Sequence, residues 1–298
     1  MRSWLSPAHR SPRRYTRSVA STQIAENLAF VNWTVLTGLA VGSYAAVVML
    51  RRRTAATGGF LGFTAASAAV FGLLAWLSDR ALPNALLDSP VVNDSAWTQP
   101  RATVLLAFWV LATVAVLVRR IRPAAGAWVE LAALASGGLA LVFAALSWGG
   151  PSAAGVAALL LQFACLTASA GGVFTAMILG HWYLVTPKLP EAPLILLSRA
   201  LFAVVAAQIA LFWVWIGTAA GPADDAPFSA LTGPWALFVW LRLVVGLIFP
   251  LVVSWAALQT AKTRSMESAT GLHYINVGTI LAGTIVAAGL YFGAGLLV

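Results

Sequence analysis

The sequence predicts an all-α protein: a polytopic transmembrane bundle of about eight spanning helices with no soluble domain. The chain has 298 residues, of which 60% are hydrophobic and only 9% are charged, whereas about 25% of the residues in a soluble domain are charged. Several apolar runs exceed the ~18 residues that indicate a spanning helix. They are too long for the ~10-residue alternating segments of an outer-membrane barrel. We therefore expect the lipid bilayer to surround most of the chain.

The first 23 residues form a basic N-terminal tail that we expect to be disordered. This tail contains five arginines, two prolines and no acidic residue, a composition that cannot bury enough apolar surface to fold. The predicted domain division is therefore a tail over residues 1–23 and a transmembrane helical domain over residues 24–298.

Eight apolar segments of helix length follow the tail, and arginine runs or turns rich in glycine and proline separate them. A polar loop over residues 78–101 contains three aspartates. The two halves of the chain show no matching repeat in sequence. The predicted spans cover residues 27–50, 58–77, 102–118, 128–146, 153–185, 193–217, 235–260 and 271–297.

The fifth span is the longest, and it is predicted to be the central helix of the bundle. Small residues recur every fourth position along it, which places them in one row where neighbouring backbones approach closely; they are Ala164, Ala168, Gly172, Ala176 and Gly180. The only cysteine, Cys165, lies in the same span and is interpreted as a small apolar residue.

Loop charges predict the orientation of the bundle. The loops after spans one, three, five and seven carry nine basic residues, whereas the loops after spans two, four and six carry two. Basic loops face the cytoplasm, so we predict a multi-pass protein of the cytoplasmic (inner) membrane with the basic loops inside and both termini outside. The five arginines of the tail favour the opposite side and conflict with this orientation. The net charge of +9 is explained by loop placement, so no nucleic-acid partner is expected.

Ionisable residues inside a bilayer are costly and often functional, and a group of them is predicted at the cytoplasmic end. His181 and His273 lie at similar depth on spans five and eight, as two axial ligands of one haem b must. An arginine in this group could pair with a haem propionate. The predicted cofactor site consists of His181, His273, Arg199, Glu130, Tyr183 and Tyr274.

Two other interpretations of this group remain open. In the first, both histidines lie at the membrane interface, because a 33-residue fifth span is about 49 Å long at 1.5 Å per residue and exceeds the ~30 Å hydrocarbon core. In the second, the histidines, the tyrosines and Glu130 hydrogen-bond a quinone or relay protons.

Arg242 stands apart, about two turns into span seven from the outer side, with Gln162 of span five at a similar depth. A buried arginine that faces an acid or an anionic substrate would be functional, and Pro250, eight residues on, would free a backbone carbonyl to line a cavity. The alternative is an arginine that extends its side chain to the outer interface. Arg242 and Gln162 are the predicted substrate-binding residues.

Sequence motifs narrow the function classes. The chain has no Cys-x-x-Cys, no His-x-x-x-His and no phosphate-binding glycine loop, so no metal site is predicted. Three histidines are too few for a haem-copper oxidase or a cytochrome b with two haems. Three hypotheses follow: a membrane subunit that holds one haem b or a quinone, a permease for a small anionic solute, and a non-catalytic scaffold that binds other membrane subunits.

Overall fold

The computed structural model describes residues 20–186, 188–223 and 226–298, and no strand occurs among them. The predicted all-α bundle is confirmed. The helices are α1 (Ala20–Glu26), α2 (Leu28–Arg53), α3 (Gly58–Arg80), α4 (Thr98–Ile121), α5 (Pro123–Trp148), α6 (Ala153–Val185), α7 (Ala192–Thr218), α8 (Ala236–Leu243), α9 (Phe249–Lys262) and α10 (Met266–Ala294). The two longest connections, after α3 and after α7, each contain a 3₁₀ turn, Ser95–Trp97 and Ser229–Leu231 respectively.

Eight helices are long and apolar enough to cross a membrane, which matches the predicted number of spans. The seventh span is composite, because a π-helical segment, Val244–Ile248, joins α8 to α9. Large hydrophobic side chains such as Trp128 and Leu237 are exposed on the outside of the bundle, as the surface of a helix in lipid requires. The chain is therefore a multi-pass integral membrane protein.

Two helices extend further into the predicted polar loop than the sequence indicated. α3 continues to Arg80, and α4 begins at Thr98. Asp79 and Arg101, which were assigned to the polar loop, therefore lie inside helices. Both side chains face the interior of the bundle, where they pair with each other. Because the pair neutralises both charges, the helices can continue through these two residues.

Only residues 20–23 of the predicted tail are among the described residues. Residues 1–19 lie outside the described residues. Residues 20–23, which the prediction counted with the tail, belong to α1. Ile24 of α1 packs against Gly289 of α10, in the space that a larger residue than glycine would fill. The Asn27 side chain forms hydrogen bonds with the backbone of Leu87. These contacts explain why this part of the predicted tail is ordered.

The helices contact one another in the same order in both halves of the chain. In the first half the contacts run from α2 to α3, to α4, to α5 and back to α2. In the second half they run from α6 to α7, to α9, to α10 and back to α6. Both groups of four start at the same end of the bundle, so the repetition is parallel rather than inverted. It lies in helix contacts, since the two sequences show no match.

The two halves meet mainly where α2 packs on α6. A side chain on Gly42 would place its Cβ 1.9 Å from the Thr167 carbonyl oxygen, and one on Gly171 would stand 2.1 Å from the Ser43 nitrogen. The backbones touch because small residues are spaced four apart on both helices: Gly38 and Gly42 of α2 face Thr167 and Gly171 of α6.

The predicted row of small residues on α6 is correct only in part. Ala164 and Ala168 are exposed, so this part of the predicted interface is wrong. Gly172, Ala176 and Gly180 are buried, and Gly180 lies against Thr270 of α10. The close contact with α2 runs instead along the neighbouring face of α6.

Candidate functional site

The two histidines of the predicted haem site make separate contacts. His273 of α10 is fully buried, and its Nε2 lies 2.9 Å from Oγ of Ser198 on α7. His181 is exposed, and its Nδ1 lies 3.4 Å from the hydroxyl of Tyr274. Successive residues on a helix differ by about 100° in direction, so Tyr274 reaches the outside while His273 points inward.

The structure does not bring the other members of the predicted group to the histidines. Glu130 pairs with Arg51 and Arg119 in the first half of the bundle. Arg199 is exposed. Tyr183 is buried and its hydroxyl donates to the carbonyl of Pro190. The six residues therefore occupy several places near one end of the bundle and form no single site.

This geometry gives the haem prediction no support. Two axial imidazoles must approach one iron from opposite sides, whereas the His273 Nε2 lies beside Ser198 and His181 lies on the exposed surface. The residues present do not fit a bis-histidine haem. A quinone site at these residues stays a prediction.

Arg242, in contrast, is buried inside the bundle, as the predicted substrate-binding role requires. It is only 3% exposed, so the alternative in which it extends to the interface does not describe it. Its Nη2 donates to Oε1 of Gln208 on α7 at 2.6 Å, and its Nη1 donates to the carbonyl of Gly246 at 3.3 Å. Its Nε is buried with no hydrogen-bond partner. In the described chain no carboxylate forms an ion pair with it.

Local sequence explains why the chain can hold a guanidinium here. Pro250 has no backbone N–H, so it cannot bond the carbonyl of Gly246 four residues earlier, and Arg242 takes that carbonyl instead. The intervening π-helical segment, a feature frequent at functional sites, widens the turn. A Cβ on Gly283 of α10 would stand 3.0 Å from Nη1, so glycine makes room for the guanidinium.

Gln162, the other predicted substrate-binding residue, lies on α6. It is buried, and its Oε1 has no hydrogen-bond partner. The contacts of Arg242 are instead with Gln208 of α7, the Gly246 carbonyl and the space beside Gly283 of α10. Arg242 and Gln208 form a buried, positively charged group in the second half of the bundle, which we call the Arg242 site.

Sequence reasoning missed a second buried arginine. Arg101 of α4 donates from Nε to Oδ1 of Asp79 at 2.6 Å and from Nη1 to Oγ of Ser147 at 2.8 Å. Its guanidinium carbon lies 4.3 Å from the centre of the Trp148 ring, a cation–π distance. The sequence contained one signal for this pair: Asp79 closely follows one apolar segment, and Arg101, of opposite charge, directly precedes the next.

Arg101 and Arg242 occupy comparable places in the two halves. Each belongs to the third span of its half, and each lies 20 residues before the end of that span, at Ile121 or Lys262. Asp79 neutralises Arg101, whereas Arg242 is solvated by an amide oxygen and a carbonyl. A buried guanidinium with a free donor can bind an anion by charge-assisted hydrogen bonds.

Comparison with protein-family models finds no match for this chain, and comparisons with curated proteins and with solved structures find none either.

Proposed function

We propose that the protein is a permease for a small anionic solute, bound by Arg242 inside the second half of the bundle. The observation that carries this proposal is a positive charge buried among spanning helices and not neutralised by any carboxylate of the described residues. An uncompensated charge in such a place is costly and marks substrate pathways in membrane proteins.

The chemistry of the site favours a carboxylate with a single charge. One arginine neutralises one negative charge, and the Nε together with a terminal nitrogen of a guanidinium binds a carboxylate through two parallel hydrogen bonds. The Nε of Arg242 has no protein partner. We propose that Gln162 of α6 adds a side-chain amide, whose N–H groups are suitable donors to an oxyanion.

The irregular helix beside Arg242 supports transport rather than permanent binding. Transporters hold substrate near the middle of the membrane at interrupted helices, where backbone carbonyls line the site. Here the interruption is the π-helical segment before Pro250. The guanidinium is enclosed by protein in this conformation, so we propose that a substrate reaches it only when the helices around it move.

The test is anion-dependent thermal stabilisation of the purified protein. Sodium salts of acetate, lactate, succinate, phosphate and chloride are compared at equal ionic strength, because a ligand that binds the folded state raises Tm. We expect at least one anion to raise Tm of the wild type and of Arg199→Gln, the exposed control, but not of Arg242→Gln. Arg242→Lys replaces Arg242→Gln if the latter does not fold. Stabilisation by no anion, or equal stabilisation of all variants, overturns the proposal.

A further inference from the structure

A cavity of about 520 Å³ lies in the first half of the bundle, where α2, α3, α4 and α5 reach the end that carries the basic loops. Arg51, Arg119 and Arg120 line it together with one acid, Glu130. The cavity is half-open and belongs to a different half of the molecule from the Arg242 site. We call it the basic pocket.

Ion pairs position the charged groups of the basic pocket. Glu130 accepts a hydrogen bond from Arg51 through Oε1, and its Oε2 lies 3.7 Å from Nε of Arg119. Arg119 also donates to the carbonyl of Pro123 at 2.7 Å. One carboxylate therefore holds two guanidinium groups on adjacent walls, and the four lining charges together leave an excess of two positive charges.

Several donors in the basic pocket have no protein partner. Tyr44 is only 1% exposed, lines the pocket, and its buried hydroxyl has no hydrogen bond. The Nε of Arg51 is likewise buried without a partner. Arg120 is exposed at the mouth. Because buried polar groups are normally satisfied, unbonded donors around a cavity indicate a ligand that accepts hydrogen bonds.

Helix α3 lines the basic pocket with three glycines and two apolar side chains, Leu61 and Ala65. Gly58, Gly59 and Gly62 of α3 line the pocket, and a Cβ on Gly58 or Gly62 would meet no atom within 4 Å. A Cβ on Gly59 would stand 3.2 Å from the Trp182 ring, whereas Gly58 and Gly62 do not serve helix packing. They leave a bare surface beside the arginines, which suits a bulky polar group.

We propose that the basic pocket binds a phosphate group, carried either by the headgroup of an anionic phospholipid or by a soluble phosphate. Arg51, Arg120 and the Tyr44 hydroxyl donate to the phosphate oxygens, while Glu130 positions Arg51 and Arg119. Phosphate suits this set because it offers several acceptor oxygens and more than one arginine can bind it. Basic pockets between spanning helices are known to hold anionic headgroups. The proposal does not depend on transport by the Arg242 site.

The test measures ligand retention by native mass spectrometry on the full-length protein. Dioleoylphosphatidylglycerol and the zwitterionic dioleoylphosphatidylcholine are the lipid probes, and inorganic phosphate and glycerol 3-phosphate are the soluble probes. Arg120→Gln and Tyr44→Phe are compared with Arg53→Gln, an exposed arginine at the same end that does not line the pocket.

We expect phosphatidylglycerol to be retained in preference to phosphatidylcholine. A hydrogen bond to a charged group contributes about 1.5–3 kcal/mol, so Arg120→Gln should weaken retention roughly tenfold or more. Tyr44→Phe should weaken it by a smaller factor, and Arg53→Gln should leave it unchanged. Competition by soluble phosphate assigns the site to a soluble ligand, and its failure to compete assigns the site to lipid. Equal retention of both lipids without phosphate binding, or equal effects of Arg120→Gln and Arg53→Gln, would overturn the proposal.

Discussion

Asp79 and Arg101 form an ion pair across α3 and α4, with 2.6 Å between Oδ1 and Nε and with side chains only 1% and 2% exposed. Ser147 and the rings of Trp33 and Trp148 complete the surroundings of the guanidinium. The pair neutralises the buried arginine of the first half. Arg242 has no such partner among the described residues, and this difference between the halves is the basis of the proposed anion site.

Asp79→Asn should destabilise the protein strongly. Loss of the carboxylate leaves the Arg101 charge buried without its partner, and breaking such a pair costs about 3–5 kcal/mol. Thermal unfolding in detergent measures the change, with the exposed neighbour Arg80→Gln as the control, for which a change within about 0.5 kcal/mol is expected. The double variant Asp79→Asn with Arg101→Gln should lose less than the sum of the single losses. Additive losses would mean that the two residues do not interact.

Gly42→Ala should disrupt the contact between the two halves of the bundle. Its Cβ would stand 1.9 Å from the carbonyl oxygen of Thr167, so α2 and α6 must move apart, and overpacking of this kind costs roughly 1–3 kcal/mol. Gly138→Ala is the matched control, because a Cβ there meets nothing within 4 Å. Denaturant titration of the two variants measures the difference. Equal stability of both would show that α2 and α6 do not cross at Gly42.

His273→Ala and His181→Ala should behave differently. The first removes the bond to Ser198 and leaves a cavity in a packed interior, at a cost of about 2–3 kcal/mol. The second changes an exposed side chain and should stay within about 0.5 kcal/mol. Thermal unfolding separates them, and a reduced-minus-oxidised spectrum of the purified protein provides the redox control. A haem α-band that both substitutions abolish would contradict the separate roles assigned to the two histidines.

The predicted orientation of the bundle can be tested by cysteine labelling. The side chains of Val92, in the loop after α3, and of Ala55, in the loop after α2, are both exposed. In a Cys165→Ala background, Val92→Cys should react with a membrane-impermeant maleimide on intact cells, because its loop is predicted to face outward. Ala55→Cys should react only after permeabilisation. The reverse pattern would place the basic loops outside and contradict the charge-based prediction.

The fold was largely predictable from the sequence because lipid imposes a simple rule. A spanning helix needs about 20 apolar residues, and eight blocks of this kind are visible before any contact is known. The boundaries around Asp79 and Arg101 were less predictable, since a charge next to an apolar run resembles a loop residue. Only the ion pair between Asp79 and Arg101, 22 positions apart in sequence, shows that both charges are buried.

Helix rotation was the part that the sequence could not provide. The depths of His181 and His273 follow from position along their spans, but the direction of a side chain depends on which neighbouring helix packs against it. Tyr274 therefore reaches His181, while His273 bonds Ser198. The α2–α6 crossing had a readable signal in the spacing of Gly38 and Gly42, whereas the chosen row on α6 was displaced from the true contact face.

Whether Arg242 binds a transported anion is tested most directly by uptake into proteoliposomes that contain the protein. The radiolabelled solutes are acetate, lactate, succinate and chloride. We expect uptake of at least one of these anions above protein-free liposomes by the wild type and by Arg199→Gln, and background uptake by folded Arg242→Gln or Arg242→Lys. Uptake of every anion at background by the wild type, or equal uptake by the Arg242 variants, would contradict the claim that Arg242 binds a transported anion.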